Sequence, residues 1–401
     1  MINSPKELLS LYVHIPFCKK RCSYCDFNTY AHRQKLIPTY VSALADEAKW
    51  FQVNFPISGT FHTLYFGGGT PSLIPIKLLE KTLQSLFKTY HWEDDVEITL
   101  EVNPGTIEHQ TPCDLRQLGI NRISLGVQTF DASELRLLGR IHTSQQILEA
   151  FQFIRLAGFE NMNLDLIYGI PGQTLSSWKM SLQKALNLEP EHLSLYALTL
   201  ADEVPLAAAI RSGKLPEIDD DLCADMYSYA REVMESNGYT HYEISNWAKV
   251  GDGQDFKCKH NLQYWRNKPY LGLGAGAHSH LNGTRWDNVL SPEEYIQRIQ
   301  SLQVSGELPA AFSSFNVYTD RDISETIIMG LRLVEEGIDE SDIKKRFGTT
   351  VSERYEIEVS RLLSQGLLEV FENIPLHPRL RLSMKGQLLA NMVMREFISV
   401  T

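Results

Sequence analysis

The sequence is poor in cysteine, with six in 401 residues. Those six do not form the dense, even pattern of a secreted disulfide scaffold. Three crowd together, while Cys113, Cys223 and Cys258 stand alone. Positive charge is in deficit as well: 38 Lys and Arg face 49 Asp and Glu, for a net charge of −11. A general nucleic-acid binder gains its affinity from a basic surface that releases counterions, so no nucleic-acid partner is expected. Long apolar runs are missing. Residues 1–10 hold no stretch of signal-peptide length, and no apolar segment is long enough to span a bilayer. These absences make a cytoplasmic protein without an integral membrane segment the expectation.

What is present is enough apolar sequence, 43% of residues, for a substantial core. Short apolar runs at 11–17, 62–66, 96–102, 121–127, 161–168 and 192–198 read as strands. Between them, 36–53, 76–90, 113–118, 145–157 and 175–188 carry apolar residues at helical spacing. Such alternation predicts βαβ units and a parallel sheet. Six units are too few for a closed eight-fold barrel, so the expected class is α/β with a partial (β/α)6 barrel over residues 1–200. Residues 201–320 are less regular and are expected to extend the barrel edge. From 321 to 401 the pattern becomes mainly helical, with helices at 323–334, 341–347, 351–364 and 385–398. A hairpin at 367–371 and 379–382 completes a winged-helix-like order.

The crowded thiols are Cys18, Cys22 and Cys25, spaced C-x3-C-x2-C on the loop that leaves the first strand. A closed zinc site takes four ligands. Here the fourth would have to be His14 or His32, because no second C-x2-C or H-x3-H pair follows. Three thiolates instead suit a 4Fe–4S cluster with one iron left open. One strand later comes Gly67-Gly68-Gly69-Thr70-Pro71, a run that lets backbone N–H and C=O groups approach a ligand closely. Glu101 closes the next strand, where a carboxylate can hold a ribose or an ammonium group. Gln128 follows Gly126-Val127, Arg140 follows Gly139, and Asp165 interrupts an apolar strand, a costly position unless it faces a polar pocket.

Together the cysteine spacing and the GGGTP run resemble the signature of the radical S-adenosylmethionine (SAM) superfamily. The other residues resemble its branch of oxygen-independent coproporphyrinogen dehydrogenases and their relatives. The resemblance spans most of the first two hundred residues and implies the same partial barrel. It implies a 4Fe–4S cluster on Cys18, Cys22 and Cys25, and SAM in contact with Tyr12, Gly68, Gly69, Thr70, Glu101, Gln128, Arg140 and Asp165. It also implies that an electron from the reduced cluster breaks a carbon–sulfur bond of SAM.

Two features separate the members of that branch. The dehydrogenases carry a fourth cysteine after C-x3-C-x2-C-x, where this chain has Phe27, and an extension before the cluster, for which Cys18 comes too early. Both departures speak against oxidative decarboxylation of coproporphyrinogen. Further on, His260-Asn261-Leu262-Gln263-Tyr264-Trp265 resembles the H-N-x-x-Y-W marker of the HemW family of haem chaperones. Cys258-Lys259 before it and Tyr270-Leu271-Gly272-Leu273-Gly274-Ala275-Gly276-Ala277-His278-Ser279 after it resemble the same family. That family implies haem as a ligand and haem-requiring acceptor proteins as partners. A neutral imidazole is a good axial ligand, which makes His260 the first candidate, ahead of Cys258, His278 and His280. The sequence names no acceptor and leaves homodimerisation open.

Overall fold

The computed structural model describes residues 7–55, 57–251, 253–301, 308–372 and 378–398. Residues 1–6 of the amino-terminal segment and residue 252 of the loop after 250 lie outside them. Strand and helix alternate as the apolar pattern requires: β1 (Leu8–Ile15), α1 (Ile37–Asn54), β2 (Thr60–Gly68), α2 (Ile76–Thr89), β3 (Trp92–Val102), α3 (Thr111–Gln117), β4 (Arg122–Gln128), α4 (Ala132–Leu137), α5 (Ser144–Leu156), β5 (Met162–Tyr168), α6 (Leu175–Leu186) and β6 (His192–Ala197). Next come α7 (Pro205–Arg211), α8 (Asp220–Ser236), β7 (Tyr239–Glu243), β8 (Asn246–Gly251), α9 (Lys259–Trp265), β9 (Tyr270–Leu273), β10 (His278–Leu281), β11 (Thr284–Asn288), α10 (Pro292–Gln300) and β12 (Ala311–Asn316). The carboxy-terminal part holds α11 (Thr319–Gly330), β13 (Ile338–Asp339), α12 (Glu340–Phe347), α13 (Val351–Arg354), α14 (Glu356–Ser364), β14 (Leu368–Glu372), β15 (Pro378–Leu382), α15 (Met384–Leu388) and α16 (Ala390–Arg395). Among the described residues no helix is long and apolar enough to cross a membrane.

The chain packs as two compact units, Met1–Ala230 with Pro269–Phe315, and Arg231–Lys268 with Asn316–Thr401. By packing, the 201–320 stretch is therefore shared between them. In the first unit β1 to β6 form the expected run of parallel neighbours in chain order. β9 joins the other side of β1, also parallel, and the antiparallel strands β10 and β11 extend that edge. Leu11, Val13, Leu64, Leu100, Leu125, Leu164 and Leu193 are all fully buried. Helix entries follow local chemistry. The Asp131 carboxylate accepts from the amides of Ser133 and Glu134 at 2.8 and 3.0 Å, starting α4. Thr143 and Gln146 form a reciprocal capping box at α5. The six residues of α4 are too few to show periodicity, and the Asp131 cap was their legible sign.

In the second unit, β7 and β8 make an antiparallel hairpin, and β13, β15 and β14 a three-stranded antiparallel sheet. Ile323, Ile327, Leu331, Val359, Leu362, Val393 and Phe397 belong to its core. The helix expected over 351–364 is interrupted at Tyr355 (φ −119°, ψ 44°), whose ring packs edge-on against Phe397. The helix expected over 385–398 is interrupted at Leu389 (φ −112°, ψ 25°). Just before it the chain lies so close to Leu367 that a Cβ on Gly386 would sit 1.9 Å from that carbonyl oxygen. Tertiary packing overrides helical periodicity at both points.

One buried polar hub in the first unit ties helix to sheet. Tyr40 and Glu47 lie seven residues apart on one face of α1. The Tyr40 hydroxyl donates to the His14 carbonyl at 2.9 Å and accepts from the Ala275 amide at 2.8 Å. Glu47 accepts from the Gly274 amide at 2.9 Å, from Asn288 Nδ2 at 2.8 Å and from the Tyr295 hydroxyl at 2.6 Å. Burial raises the Glu47 carboxyl to about 7, partly offset by these donors. Because the folded value lies above the ordinary one of 4.5, its contribution is full below about pH 4.5 and is lost as pH rises through about 7. Between about pH 5.5 and about pH 8, urea unfolding should show the wild type losing roughly 2 kcal/mol more than Glu47→Gln, which cannot ionise. Parallel pH profiles for the two proteins would refute a proton held at Glu47.

Candidate functional site

The site lies at the carboxy-terminal ends of the parallel strands. After β1, Phe17–Cys18 pairs briefly in parallel with Tyr30–Ala31, closing the cysteine loop on itself. The loop is pinned from several directions. The Ser23 amide donates to the Leu138 carbonyl at 3.0 Å, its hydroxyl to the Leu137 carbonyl at 2.7 Å, and its carbonyl accepts from the Leu206 amide at 2.9 Å. Gln34 Nε2 donates to the Cys18 carbonyl at 2.7 Å.

Each thiol has a polar side chain at hand. The Thr70 hydroxyl is 3.6 Å from Cys18 Sγ, Arg140 Nη1 is 3.5 Å from Cys22 Sγ, and Thr29 Oγ1 is 3.9 Å from Cys25 Sγ. Burial raises the thiols of Cys18 and Cys25, and the Thr70 hydroxyl at the first, with the Phe27 amide and Thr29 hydroxyl at the second, pulls them back. All three cysteines are half-buried and free. Among the described residues no three His, Cys, Asp or Glu side chains converge as ligands of one ion.

The glycine run fits the loop from the next strand. Gly68 has φ +111°, and a Cβ there would lie 2.5 Å from His14 Cε1. A Cβ on Gly69 would lie 2.8 Å from the Phe17 carbonyl oxygen and 3.0 Å from Cys18 Sγ. Only glycine permits that approach.

Glu101 faces the same place. Its carboxylate accepts from the Gly68 amide at 3.0 Å and from the Tyr65 hydroxyl at 2.9 Å. Burial and then the nearby Asp165 push Glu101 up to about 7, against the pull of Tyr65, Gly68 and Arg122. Asp165 is raised by burial too, although Ser124 Oγ at 2.9 Å and Asn163 Nδ2 at 2.8 Å donate to it.

At the end of β4 the register slips between Gly126 and Gln128, and Gln128 takes φ +69°. Such a bulge re-aims a side chain. A Cβ on Gly126 would meet Gln128 Nε2 at 3.1 Å and Arg140 Nη2 at 3.3 Å, so this glycine leaves room for both. Arg140 Nη2 donates to the Gly126 carbonyl at 2.8 Å, while its Nε is buried with no hydrogen-bond partner.

All the candidate residues of the cysteine loop and its neighbours thus belong to one unit, linked by contacts through Gly68, Thr70, Glu101, Gly126 and Arg140. His260 does not join them. It belongs to the second unit, 1% exposed, on α9, with Nε2 3.0 Å from the Tyr264 hydroxyl and the two rings edge to face. Cys258 is fully buried at the start of that helix. His278 and His280 lie on β10, in the first unit.

Three contributors were not singled out for these roles from the sequence. His14 donates from Nε2 to the Asn28 carbonyl at 2.9 Å, which leaves Nδ1 to accept from the Tyr12 hydroxyl at 2.9 Å. Burial lowers the imidazole, keeping it neutral. Tyr65 packs on Tyr12 and holds Glu101. Asn28 Nδ2 donates to the carbonyls of Ala275 and Leu290, at 3.1 and 3.0 Å. The i, i+2 spacing of Tyr12 and His14 on one strand was the legible signal for the first.

A model of the radical SAM superfamily matches residues 12–185, and a model of the HemN C-terminal domain matches residues 320–389. The Heme chaperone HemW of Lactococcus lactis subsp. lactis is 34% identical over 389 residues, 97% of each chain. That of Bacillus subtilis is 33% identical over 395 residues, 97% of this chain and 99% of its own. That of Escherichia coli is 38% identical over 272 residues, 67% of this chain and 69% of its own. Among solved structures, the radical SAM enzyme coproporphyrinogen III oxidase (HemN) from Escherichia coli superposes with a TM-score of 0.83 at 24% identity, covering 100% of this chain and 92% of that one. The last likeness concerns the fold.

The crowding at Gly68 can be separated from its backbone angle. Gly119 also has a positive φ, +91°, but open space where a Cβ would go. Urea unfolding should show Gly68→Ala losing about 2 kcal/mol more than Gly119→Ala. Equal losses would mean that the cradle around Gly68 gives way freely.

Proposed function

The chain belongs to the HemW family of radical SAM proteins, and on that premise we propose that it binds haem and hands it to haem-requiring acceptor proteins in the cytoplasm. The observation that carries this is the match to Heme chaperone HemW of Lactococcus lactis over 97% of both lengths. The alternative, oxidative decarboxylation of coproporphyrinogen, is less favoured. The likeness to HemN concerns the fold, and Phe27, 63% exposed, stands where a fourth cysteine would be.

The residues present fit the cofactors that the superfamily implies. Cys18, Cys22 and Cys25 would hold a 4Fe–4S cluster, leaving one iron without a protein thiolate. Gly68, Gly69 and Thr70 would bring backbone against SAM. Glu101 would meet its positive charge or its ribose hydroxyls, and Tyr12, Gln128, Arg140 and Asp165 would complete the shell. When bound, the cluster supplies an electron able to break a carbon–sulfur bond of SAM. The protein's own part is to orient these groups. His14 fixes the Tyr12 hydroxyl, Tyr65 fixes Glu101, and Arg140 spans Gly126 and Cys22. The buried, unpartnered Nε of Arg140 marks a donor awaiting an acceptor. For haem, His260 is the proposed iron ligand. The Tyr264 hydroxyl must yield Nε2 before iron can reach it.

Replacing Cys18, Cys22 and Cys25 together with alanine should abolish iron and sulfide uptake on anaerobic reconstitution. Retained iron and sulfide would defeat the cluster assignment. SAM affinity in the reconstituted protein should rise with pH through about 7 as Glu101 ionises, by about tenfold per unit below that value. Glu101→Gln should bind weakly without that slope, and an unchanged profile would remove Glu101 from the SAM shell. An anaerobic haem titration followed by visible absorbance should saturate without turnover of coproporphyrinogen on the same sample. Turnover would make the protein an enzyme of porphyrin synthesis. His260→Ala should alter the haem spectrum, and an unaltered spectrum and affinity would discard that ligand.

A further inference from the structure

A row of polar side chains crosses four neighbouring strands of the parallel sheet. In register, Glu101 of β3 stands beside Ser124 of β4, Ser124 beside Asn163 of β5, and Asn163 beside His192 of β6. Asp165 lies two residues on from Asn163, so both side chains leave the same face of β5. Its own neighbour on β6 is Ser194. Ser124, Asn163, His192 and Ser194 are all buried. The interior of a parallel barrel is ordinarily filled by branched apolar side chains, so a polar row there needs a reason.

The hydrogens of this row all point toward Asp165. Asn163 Nδ2 donates to Asp165 Oδ1 at 2.8 Å and to Ser124 Oγ at 2.7 Å, and Ser124 Oγ donates in turn to Asp165 Oδ2 at 2.9 Å. A carboxylate only accepts, so the nitrogen of the Asn163 amide must be the end that faces it. Asn163 Oδ1 is then left to accept from the Ser194 hydroxyl at 3.1 Å and from His192 Nδ1 at 2.6 Å. This places the His192 proton on Nδ1. Burial, and after it the nearby Arg122, lowers the His192 imidazole well below its ordinary value, so the ring is neutral. Both hydrogens and both lone pairs of the Asn163 amide are engaged, and the group cannot turn over without breaking the set.

We infer that Asn163, oriented by His192, is a positioning residue for SAM: it holds the Asp165 carboxylate in one orientation, with both oxygens as acceptors. The inference rests on the placing of Asp165 in the SAM shell and deepens it. Apolar side chains of similar shape could fill such a row at little cost in stability. What the polar row adds is the fixed direction of its last bonds, which end on an acid of the site.

The test is the SAM affinity of the anaerobically reconstituted full chain, measured by equilibrium dialysis. The variants are Asn163→Leu, His192→Leu and His192→Asn, with Asn163→Leu made also beside Asp165→Asn. Asn163→Leu alone should weaken SAM binding about tenfold, the scale of a hydrogen bond to a charged group. Beside Asp165→Asn it should cost less than about twofold, because the carboxylate it holds is gone. His192→Leu should weaken binding in the same direction. His192→Asn, whose amide stands where Nδ1 was, should restore affinity to near that of the natural protein. Iron and sulfide content and circular dichroism melts check that each variant is folded and loaded, and if Asn163→Leu does not fold, the His192 pair decides. Equal losses with and without Asp165→Asn would make the row purely structural and overturn the inference, as would unchanged affinity in Asn163→Leu or equal affinity in the two His192 variants. If Asp165→Asn alone leaves SAM affinity unchanged, or the natural protein binds no SAM, the SAM-shell reading itself fails and the inference with it.

Discussion

The close approach of Gly69 to the cysteine loop is the constraint on which the site depends. Backbone of β2 lies against the Phe17 carbonyl and the Cys18 sulfur with no room for a side chain. The Gly69 amide uses that proximity to donate to the Ile15 carbonyl at 2.8 Å. This contact sets where Thr70 stands relative to Cys18 and where the Gly68 amide meets Glu101. The loop's other ties, to Leu137, Leu138 and Leu206, come from segments far along the chain. On the proposed reading, cysteines held this way would need little reorganisation to take a cluster, because the ordering entropy has been spent in folding.

The same unit hides an unusual amount of polarity. Glu47, Glu101 and Asp165 are carboxyls pushed upward by burial; each is surrounded by hydrogen-bond donors, and the buried Arg122 guanidinium pulls Glu101 and Asp165 back in part. Desolvated acids are tolerated where hydrogen bonds replace water or where protonation removes the charge. The two solutions serve different ends. Glu47 collects the Gly274 amide, Asn288 and Tyr295, and so fastens the glycine-rich segment after β9 to α1. Asn28, from the cysteine loop, then rests on that segment through Ala275. The glycine-rich segment that resembled its family in sequence thus acts as a brace for the cysteine loop.

The parallel core was legible because its strands are short apolar runs set between amphipathic helices, and the thiols because their spacing admits few alternatives. Gly68, Glu101 and Asp165 were legible for a related reason: glycines or acids inside apolar strands conflict with the local pattern. Tyr65 and Glu47 were not legible. A tyrosine in an apolar strand and a glutamate in an amphipathic helix conflict with nothing, and only the register of β2 on β3 and the packing of α1 reveal their partners. The interruptions at Tyr355 and Leu389 were hidden likewise, since helical periodicity runs through both. His260 shows the converse case. Its motif is conspicuous in sequence, yet its ring is buried and engaged with Tyr264.

Glu101 and Asp165 also explain why the site should prefer a cation. With both acids buried and repelling each other, the pair lowers its free energy by keeping a proton. A ligand bearing positive charge replaces that proton and relieves the repulsion at once, whereas a neutral analogue of the same shape leaves the proton in place. SAM carries a sulfonium and an ammonium, and its analogue without the methyl group, S-adenosylhomocysteine, lacks the first. On the proposed reading, the pair therefore favours SAM over that analogue by electrostatics, with no contact to the methyl group required. The preference arises from burial of two like charges, and the buried Arg122 guanidinium, which pulls both carboxyls down, limits it without removing it.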